Sequence, residues 1–116
     1  MAGYLGSVNL RSITRIAERN KSVIANTSIF PQDIKGEMIG SSIWTIQCSF
    51  ANSGKLEVIT KQPGSTDISE ILNSSIIANQ DYLYTFITSD KESINFKFSV
   101  NSTCKRFILM ESGGIY

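Results

Sequence analysis

The stretch that decides the fold is 43-IWTIQCSFANSGKLEVITK-61, in which two alternating segments flank a short polar break. The apolar residues that take every second position are Trp44, Ile46, Cys48 and Phe50 before the break and Leu56 and Val58 after it. A period of two places these side chains on one face of a β-strand. The break, Asn52-Ser53-Gly54, ends in the glycine that a three-residue hairpin turn requires. The stretch therefore predicts a β-hairpin with one apolar face, which a second layer must cover.

Further strands are predicted in the second half of the chain. Residues 82–87 and 94–100 alternate in the same way, residues 104–110 form a last apolar segment, and polar turns lie between them. Short turns and the absence of crossover helices predict an all-β fold, an antiparallel two-sheet β-sandwich of jelly-roll type. The expected core consists of Trp44, Ile46, Phe50, Leu56, Val58, Tyr84, Phe86, Ile94, Phe96, Phe98, Phe107 and Leu109.

The first 40 residues follow a different pattern. We predict that residues 1–40 form an N-terminal arm and that residues 41–116 form the sandwich domain. Apolar spacing over residues 9–19 favours a short amphipathic helix, and residues 22–30 favour an arm strand. Arg11, Arg15 and Arg19 lie on the polar side of that helix. They are candidate arm contacts with an acidic surface or nucleic acid, although an ordinary solvated face is the simpler interpretation.

Composition narrows the range of functions. The chain has 116 residues, a net charge of +1 and no histidine. A charge this small predicts no nucleic-acid partner, and no apolar run is long enough for a membrane span. Without histidine, the commonest general base and zinc ligand are missing, and the carboxylates are scattered. The sequence therefore predicts no catalytic residue, no cofactor-binding residue, no metal site and no enzyme activity.

The two cysteines leave two alternatives. Cys48 and Cys104 lie on separate predicted strands, so a disulfide between sheets is geometrically conceivable. Two buried free thiols are favoured, because Cys104 has the opposite parity to Phe107 and Leu109 unless a bulge intervenes.

Several apolar residues fall on the outward parity of the predicted strands. They are Ile43, Ile59, Ile87, Ile108 and Met110. Large apolar side chains on a solvent face mark sites of protein contact when they cluster. We predict that these five residues contact neighbouring subunits in a homo-oligomer.

The order of segments from Ser42 to Ser112 also resembles a class of known proteins. It runs "SIWTIQCSFANSGKLEVITKQ" and then "NSSIIANQDYLYTFITSDKESINFKFSVNSTCKRFILMES". This succession of strands, amide-rich crossing loop and polar turns resembles small β-sandwich structural proteins of viral particles, of the capsid decoration, spike or tail type. The first 40 residues take no part in the resemblance.

The resemblance implies a non-enzymatic virion subunit that associates with itself and with other virion proteins. The alternative is a carbohydrate-binding or adhesion module at the cell surface or outside the cell. Only that alternative implies a glycan ligand, for which Trp44, Tyr82 and Tyr84 are the candidate stacking platform, although core packing is the simpler role for them.

Overall fold

A computed structural model describes residues 11–113, and these residues form β-strands and connecting loops without a helix. The eight strands are β1 (Arg11–Val23), β2 (Ile34–Lys35), β3 (Ser42–Phe50), β4 (Gly54–Lys61), β5 (Ile68–Ile76), β6 (Tyr82–Thr88), β7 (Ser93–Phe98) and β8 (Ser102–Gly113).

The strands form two four-stranded sheets. Sheet A has the order β1-β8-β3-β6, and sheet B has the order β2-β7-β4-β5. Four antiparallel pairs are nested, β1 with β8, β2 with β7, β3 with β6 and β4 with β5, as in one long hairpin rolled into two layers. Additional pairs, β3 with β8 and β4 with β7, complete the sheets. Eight strands arranged in this way form a jelly roll, so the predicted fold class is confirmed.

The stretch 43–61 does form two strands, but the predicted hairpin between them is wrong. Strand β3 lies in sheet A and β4 lies in sheet B, so the chain crosses between the layers. Both strands point their apolar residues into the same core from opposite sides, a pattern that period-two alternation alone cannot distinguish from a hairpin. Gly54 serves close packing, because a Cβ there would lie 2.8 Å from Cζ of Phe98.

The short helix predicted over residues 9–19 is also wrong where the structure describes it, because residues 11–23 form β1. The register of β1 on β8 shifts between Thr14 and Ile16, which leaves Arg15 in a bulge. An extra residue in a strand changes a spacing of two into a spacing of three for the inward side chains. Ile13 and Ile16 therefore share a face, and this spacing imitated a helix.

Residues 23–38 contribute core side chains that the sequence pattern did not reveal, namely Val23, Ile29, Phe30, Ile34 and Met38. Asn95 fixes the irregular segment near Pro31, because its side-chain amide accepts from the Phe30 amide at 3.2 Å and donates to the Phe30 carbonyl at 2.9 Å.

The division into an arm (1–40) and a sandwich domain (41–116) stays a prediction about independent folding, and residues 1–10 lie outside the described residues.

The predicted core lies between the sheets. Ten of its twelve residues are buried, and Tyr84 and Phe86 are partly buried against them on edge strand β6. Phe50 and Phe98 stack with ring centroids 4.0 Å apart, and Phe96 contacts Phe107 edge to face at 5.1 Å. Aromatic pairs in these two geometries add to the stability gained from burial alone.

Both cysteines are buried free thiols, the favoured alternative. The parity argument for this alternative is wrong, however, because a bulge intervenes and the register of β3 on β8 shifts between Ser49 and Phe50. The shift places Cys104 and Phe107 on the same side of the strand. Burial raises the pKa of each thiol from an ordinary value of 9.0 to about 12.

We expect Cys48 and Cys104 to resist alkylation in the folded protein at neutral pH, since the thiolate is the nucleophile and the thiols are covered. Iodoacetamide labelling followed by mass spectrometry should show two labels after denaturation and none before it. Rapid labelling of the folded chain would contradict the burial.

Unfolded thiols ionise near pH 9 and folded ones near pH 12, so their contribution to the free energy of unfolding falls as the pH rises through that window.

Candidate interaction surface

The outer face of sheet A carries a broad set of uncharged side chains, which we call the uncharged face. Trp44, Ile46 and Cys48 point into the core, so the residues between them on β3 point outward, and the same alternation holds on the other strands. The twelve members are Ser12, Thr14 and Ala17 on β1, Ile108, Met110 and Ser112 on β8, Ile43, Thr45 and Gln47 on β3, and Leu83, Thr85 and Ile87 on β6.

Several large members of the uncharged face are open to solvent. Leu83 is 63% exposed and Ile87 is 69% exposed, and Met110 is also exposed near the centre of the sheet. Ile43 and Ile108 are half-buried between their neighbours. Apolar side chains gathered on one uncharged face are typical of a protein contact site, whereas isolated exposed side chains need no explanation.

The outer face of sheet B differs, because ion pairs lie across it. Lys55 pairs with Glu57 at 3.0 Å. Lys61 lies 3.1 Å from Asp33 and 3.6 Å from Asp67. Charged side chains keep a sheet face in water and discourage association. The two outer faces of the sandwich therefore differ in charge, and that of sheet A is the better suited to burial against a protein.

One end of the uncharged face is bordered by charge. Arg19 on β1 lies directly opposite Arg106 on β8, which in turn lies opposite Ser49 on β3. Nη2 of Arg106 donates to Oε1 of Gln47 at 3.1 Å. A cleft of about 280 Å³ lies here and is lined by Gln47, Cys48, Asp81, Tyr82, Leu83 and Arg106. Hydrogen-bonding groups and apolar side chains are thus adjacent at this border.

Four of the five predicted subunit contacts lie on the uncharged face: Ile43, Ile87, Ile108 and Met110. The expectation of an exposed side chain at Ile59 is wrong. Ile59 does point away from the core, but it lies between Asn95 on β7 and Ser69 on β5 and is only 6% exposed. Leu83 was missed by sequence reasoning. The sequence does indicate its position, because Leu83 alternates with Tyr82 and Tyr84 and has the same outward parity as Ile87.

The three predicted arm contacts have different surroundings. Arg11 and Arg19 are exposed on β1. Arg15 is not available as an arm contact, because its guanidinium pairs with the fully buried carboxylate of Glu111 and with Glu37 at 3.2 Å. The bulge in β1 is the physical reason, since the extra residue turns Arg15 towards the loop between β2 and β3.

Glu111 is the centre of a buried polar cluster at one end of the sandwich. Its carboxylate accepts from the hydroxyl of Ser42 at 2.5 Å and from the backbone amides of Glu37 and Met38 at 2.8 and 3.3 Å. Arg15 also donates to the carbonyl of Lys35 at 2.9 Å. A buried carboxylate needs this number of partners, and here they join β1, β8 and the β2–β3 loop. The cluster is therefore a structural connection.

The candidate role of Trp44 in a sugar-stacking platform is wrong, because Trp44 is fully buried. Its indole Nε1 donates to Oγ1 of Thr88 at 2.8 Å. Tyr82 and Tyr84 stack with centroids 6.0 Å apart. Their hydroxyls accept from the Ile77 amide and from the Asn73 side-chain amide, respectively. Tyr84 therefore links sheet A to strand β5 of sheet B, and Tyr82 links sheet A to the loop that follows β5.

No metal or membrane feature is found in the part of the chain that the structure describes. Within residues 11–113, no group of three acidic or cysteine side chains is placed to hold a metal ion. Across the same residues, no helix has the length and apolarity that a membrane crossing requires.

Comparisons with known proteins give matches of fold only. No family model and no curated protein matches the chain. A chain of Bacillus endospore appendages, a family of disulfide-linked pili, matches with a TM-score of 0.51 and 9% identity over 95% of this chain and 90% of that chain. A chain of the IBDV viral particle matches with a TM-score of 0.51 and 12% identity over 90% of this chain and 31% of that chain.

A third match is the globular domain of zebrafish complement 1qA protein, with a TM-score of 0.49 and 11% identity over 94% of this chain and 95% of that chain. Identities this low establish the fold alone. At that level the viral-particle match confirms the predicted resemblance to β-sandwich proteins of viral particles.

Proposed function

We propose that this protein is a non-enzymatic structural subunit of a virion, and that it associates with itself through the uncharged face. The observation that carries the proposal is the contrast between the two outer faces of the sandwich. Sheet A presents Leu83, Ile87 and Met110 to solvent among the twelve residues of the uncharged face, and its outward charges, Arg19 and Arg106, lie at one end of that face. Ion pairs lie across the outer face of sheet B instead. Burying such a face between protein copies removes apolar surface from water at no cost in charge desolvation.

The fold is compatible with this role, since it is shared with a chain of a viral particle and with a chain of a pilus. The pili are disulfide-linked, but both cysteines of this chain are buried in its own core. Association here would therefore depend on surface packing. The adhesion module remains the competing function, and it is weakened by the burial of Trp44.

The test of self-association uses two matched double variants. Ile87→Lys with Met110→Lys places two charges on the uncharged face, and Ile68→Lys with Ile71→Lys places two on the exposed edge strand β5 of sheet B. We expect the first pair to weaken association by about 100-fold or more, because an unpaired charge buried in an interface is strongly unfavourable. The second pair should leave association unchanged. Molar mass is measured by light scattering at several concentrations.

The control for folding is the far-UV circular dichroism of both double variants, which should match that of the wild type. A wild-type chain that stays monomeric at every concentration would contradict the proposal, and glycan binding by that monomer would favour the adhesion module. Equal loss of association in both double variants would show that the uncharged face is not the contact surface.

A further inference from the structure

The backbone pairings of sheet A arrange its outward residues in four rows that cross all the strands. From β1 to β6, the first three rows are Ser12, Ser112, Ile43 and Ile87, then Thr14, Met110, Thr45 and Thr85, then Ala17, Ile108, Gln47 and Leu83. The fourth row runs Arg19, Arg106 and Ser49, and Asp81 lies beside its far end, one residue before β6.

The first, third and fourth rows are asymmetric from one edge of the sheet to the other, whereas the second row has threonine at both ends. Small side chains lie on β1, where the rows begin with Ser12 and Ala17, and large ones lie on β6, where they end with Ile87 and Leu83. In the fourth row the positive charges of Arg19 and Arg106 lie near β1, and the negative charge of Asp81 lies near β6. From β1 to β6, side-chain size therefore increases along the first and third rows, and charge changes from positive to negative along the fourth row.

Within the described residues, the arginine pair Arg19 and Arg106 has no acidic partner. Arg19 and Arg106 are directly opposite each other, an arrangement of like charges that destabilises a strand pair. Neither belongs to an ion pair among residues 11–113. This end of the face is thus suited to receive a carboxylate from outside the chain.

We infer that the uncharged face binds the same face of a second copy around a twofold axis parallel to the strands of sheet A, with Arg19 of one copy beside Asp81 of the other. This inference rests on the proposed self-association and specifies its geometry. Such an axis keeps each row in register and reverses the strand order, so β1 of one copy covers β6 of the other. Ile87 then meets Ser12, and Leu83 meets Ala17.

The other twofold axis within the face, perpendicular to the strands, is disfavoured. It would place the fourth row of one copy on the first row of the other, so Arg19 would face Ser12 and Asp81 would face Ile87. Both charges would then be buried without an opposite charge beside them, which is strongly unfavourable in an interface. The parallel axis instead places opposite charges together at two symmetric positions.

The contact is small. Four strands about 4.8 Å apart and about seven residues along each, at about 3.3 Å per residue, cover roughly 19 by 23 Å. Interfaces of this size belong to the weak end of specific association. The experiment therefore uses protein concentrations from about ten to several hundred micromolar.

The test combines two single charge reversals, Arg19→Asp and Asp81→Arg. Each variant alone places like charges at both symmetric positions, so we expect its dissociation constant to rise by at least about tenfold. An equimolar mixture of the two variants pairs opposite charges at both positions of the mixed dimer, and it should regain wild-type affinity. Sedimentation velocity of each variant and of the mixture measures this.

Rescue cannot occur within one chain, because three strand spacings, about 14 Å, separate positions 19 and 81. If the wild type associates but the reversals neither weaken it nor rescue each other, this geometry is overturned and the proposed function stands. A wild type that associates into open or larger assemblies through this face would overturn the twofold arrangement. A wild type that stays monomeric overturns both.

Discussion

Replacing Arg15 by alanine is expected to lower the free energy of unfolding by about 3–5 kcal/mol, because it leaves a buried carboxylate without its cation. Glu111 is 0% exposed, and Arg15 is its only ion-pair partner among the described residues. The substitution also removes the hydrogen bond to the carbonyl of Lys35 and the contact of the guanidinium with the ring of Trp44, 5.8 Å from its centroid. Chemical denaturation followed by tryptophan fluorescence measures the change.

The matched control is Arg11→Ala on the same strand. Arg11 is exposed and pairs through its backbone with Gly113. A surface substitution of this kind should change the free energy of unfolding by no more than about 0.5 kcal/mol. Similar small effects at both positions would show that the cluster around Glu111 is not needed for stability.

A double variant separates the cost of the unpaired charge from the loss of packing. Arg15→Ala combined with Glu111→Gln removes both charges and keeps the length of the side chain that accepts from Ser42. It should be more stable than Arg15→Ala alone, since no isolated charge remains in the interior. If the double variant is less stable than Arg15→Ala, the loss of stability in Arg15→Ala comes from lost contacts and not from an unpaired charge.

The parts of the fold that the sequence predicted are those in which alternation maps directly onto burial. In β7 every second residue from Ile94 to Phe98 is buried, and the strand has no bulge in its pairing with β4. The outward parity of Ile87 and Met110 was predictable for the same reason. Where the backbone follows regular pleating, the sequence alone predicts which side chains point inward. It does not predict that neighbouring strands bury the outward side chains of Ile59 and Asn95.

Irregular backbone explains most of what could not be predicted. The bulge at Arg15 turned the period of β1 into an apparent helical spacing, and it also directed the arginine towards Glu111. A bulge changes the face of every later side chain in its strand, and no residue type announces it reliably. In the sequence Glu111 is one of several scattered acids. Its burial could not be predicted, because its partners come from distant segments of the chain.

Which strands pair was beyond the sequence as well. A turn between two alternating segments fits a hairpin or a crossing between layers, and in this chain β3 and β4 lie in different sheets. The nested pairing of β1 with β8 joins residues at opposite ends of the chain, a choice made by the packing of the whole sandwich. The uncharged face follows from that choice, since four strands from both halves of the sequence contribute to it.

Replacing Phe96 by alanine should cost about 3–5 kcal/mol, since deletion of a fully buried ring leaves a cavity that its surroundings cannot fill. The ring lies among Phe30, Phe86 and Phe107, with centroids 6.3, 6.4 and 5.1 Å away. These neighbours belong to the segment before β2, to β6 and to β8. The ring of a sheet B strand thus contacts two strands of sheet A, β6 and β8, and the N-terminal third of the chain. Thermal or chemical denaturation should show the loss.

The matched control for Phe96→Ala is Phe86→Ala, which deletes the same atoms from a half-buried position on edge strand β6. Solvent can reach part of the space that Phe86 leaves, so its loss should cost less than that of Phe96. Because small domains have total stabilities of about 5–15 kcal/mol, Phe96→Ala should leave a marginal fold with a lowered melting temperature. Equal costs at the two positions, or a Phe96→Ala variant as stable as the wild type, would contradict a single core between the two sheets.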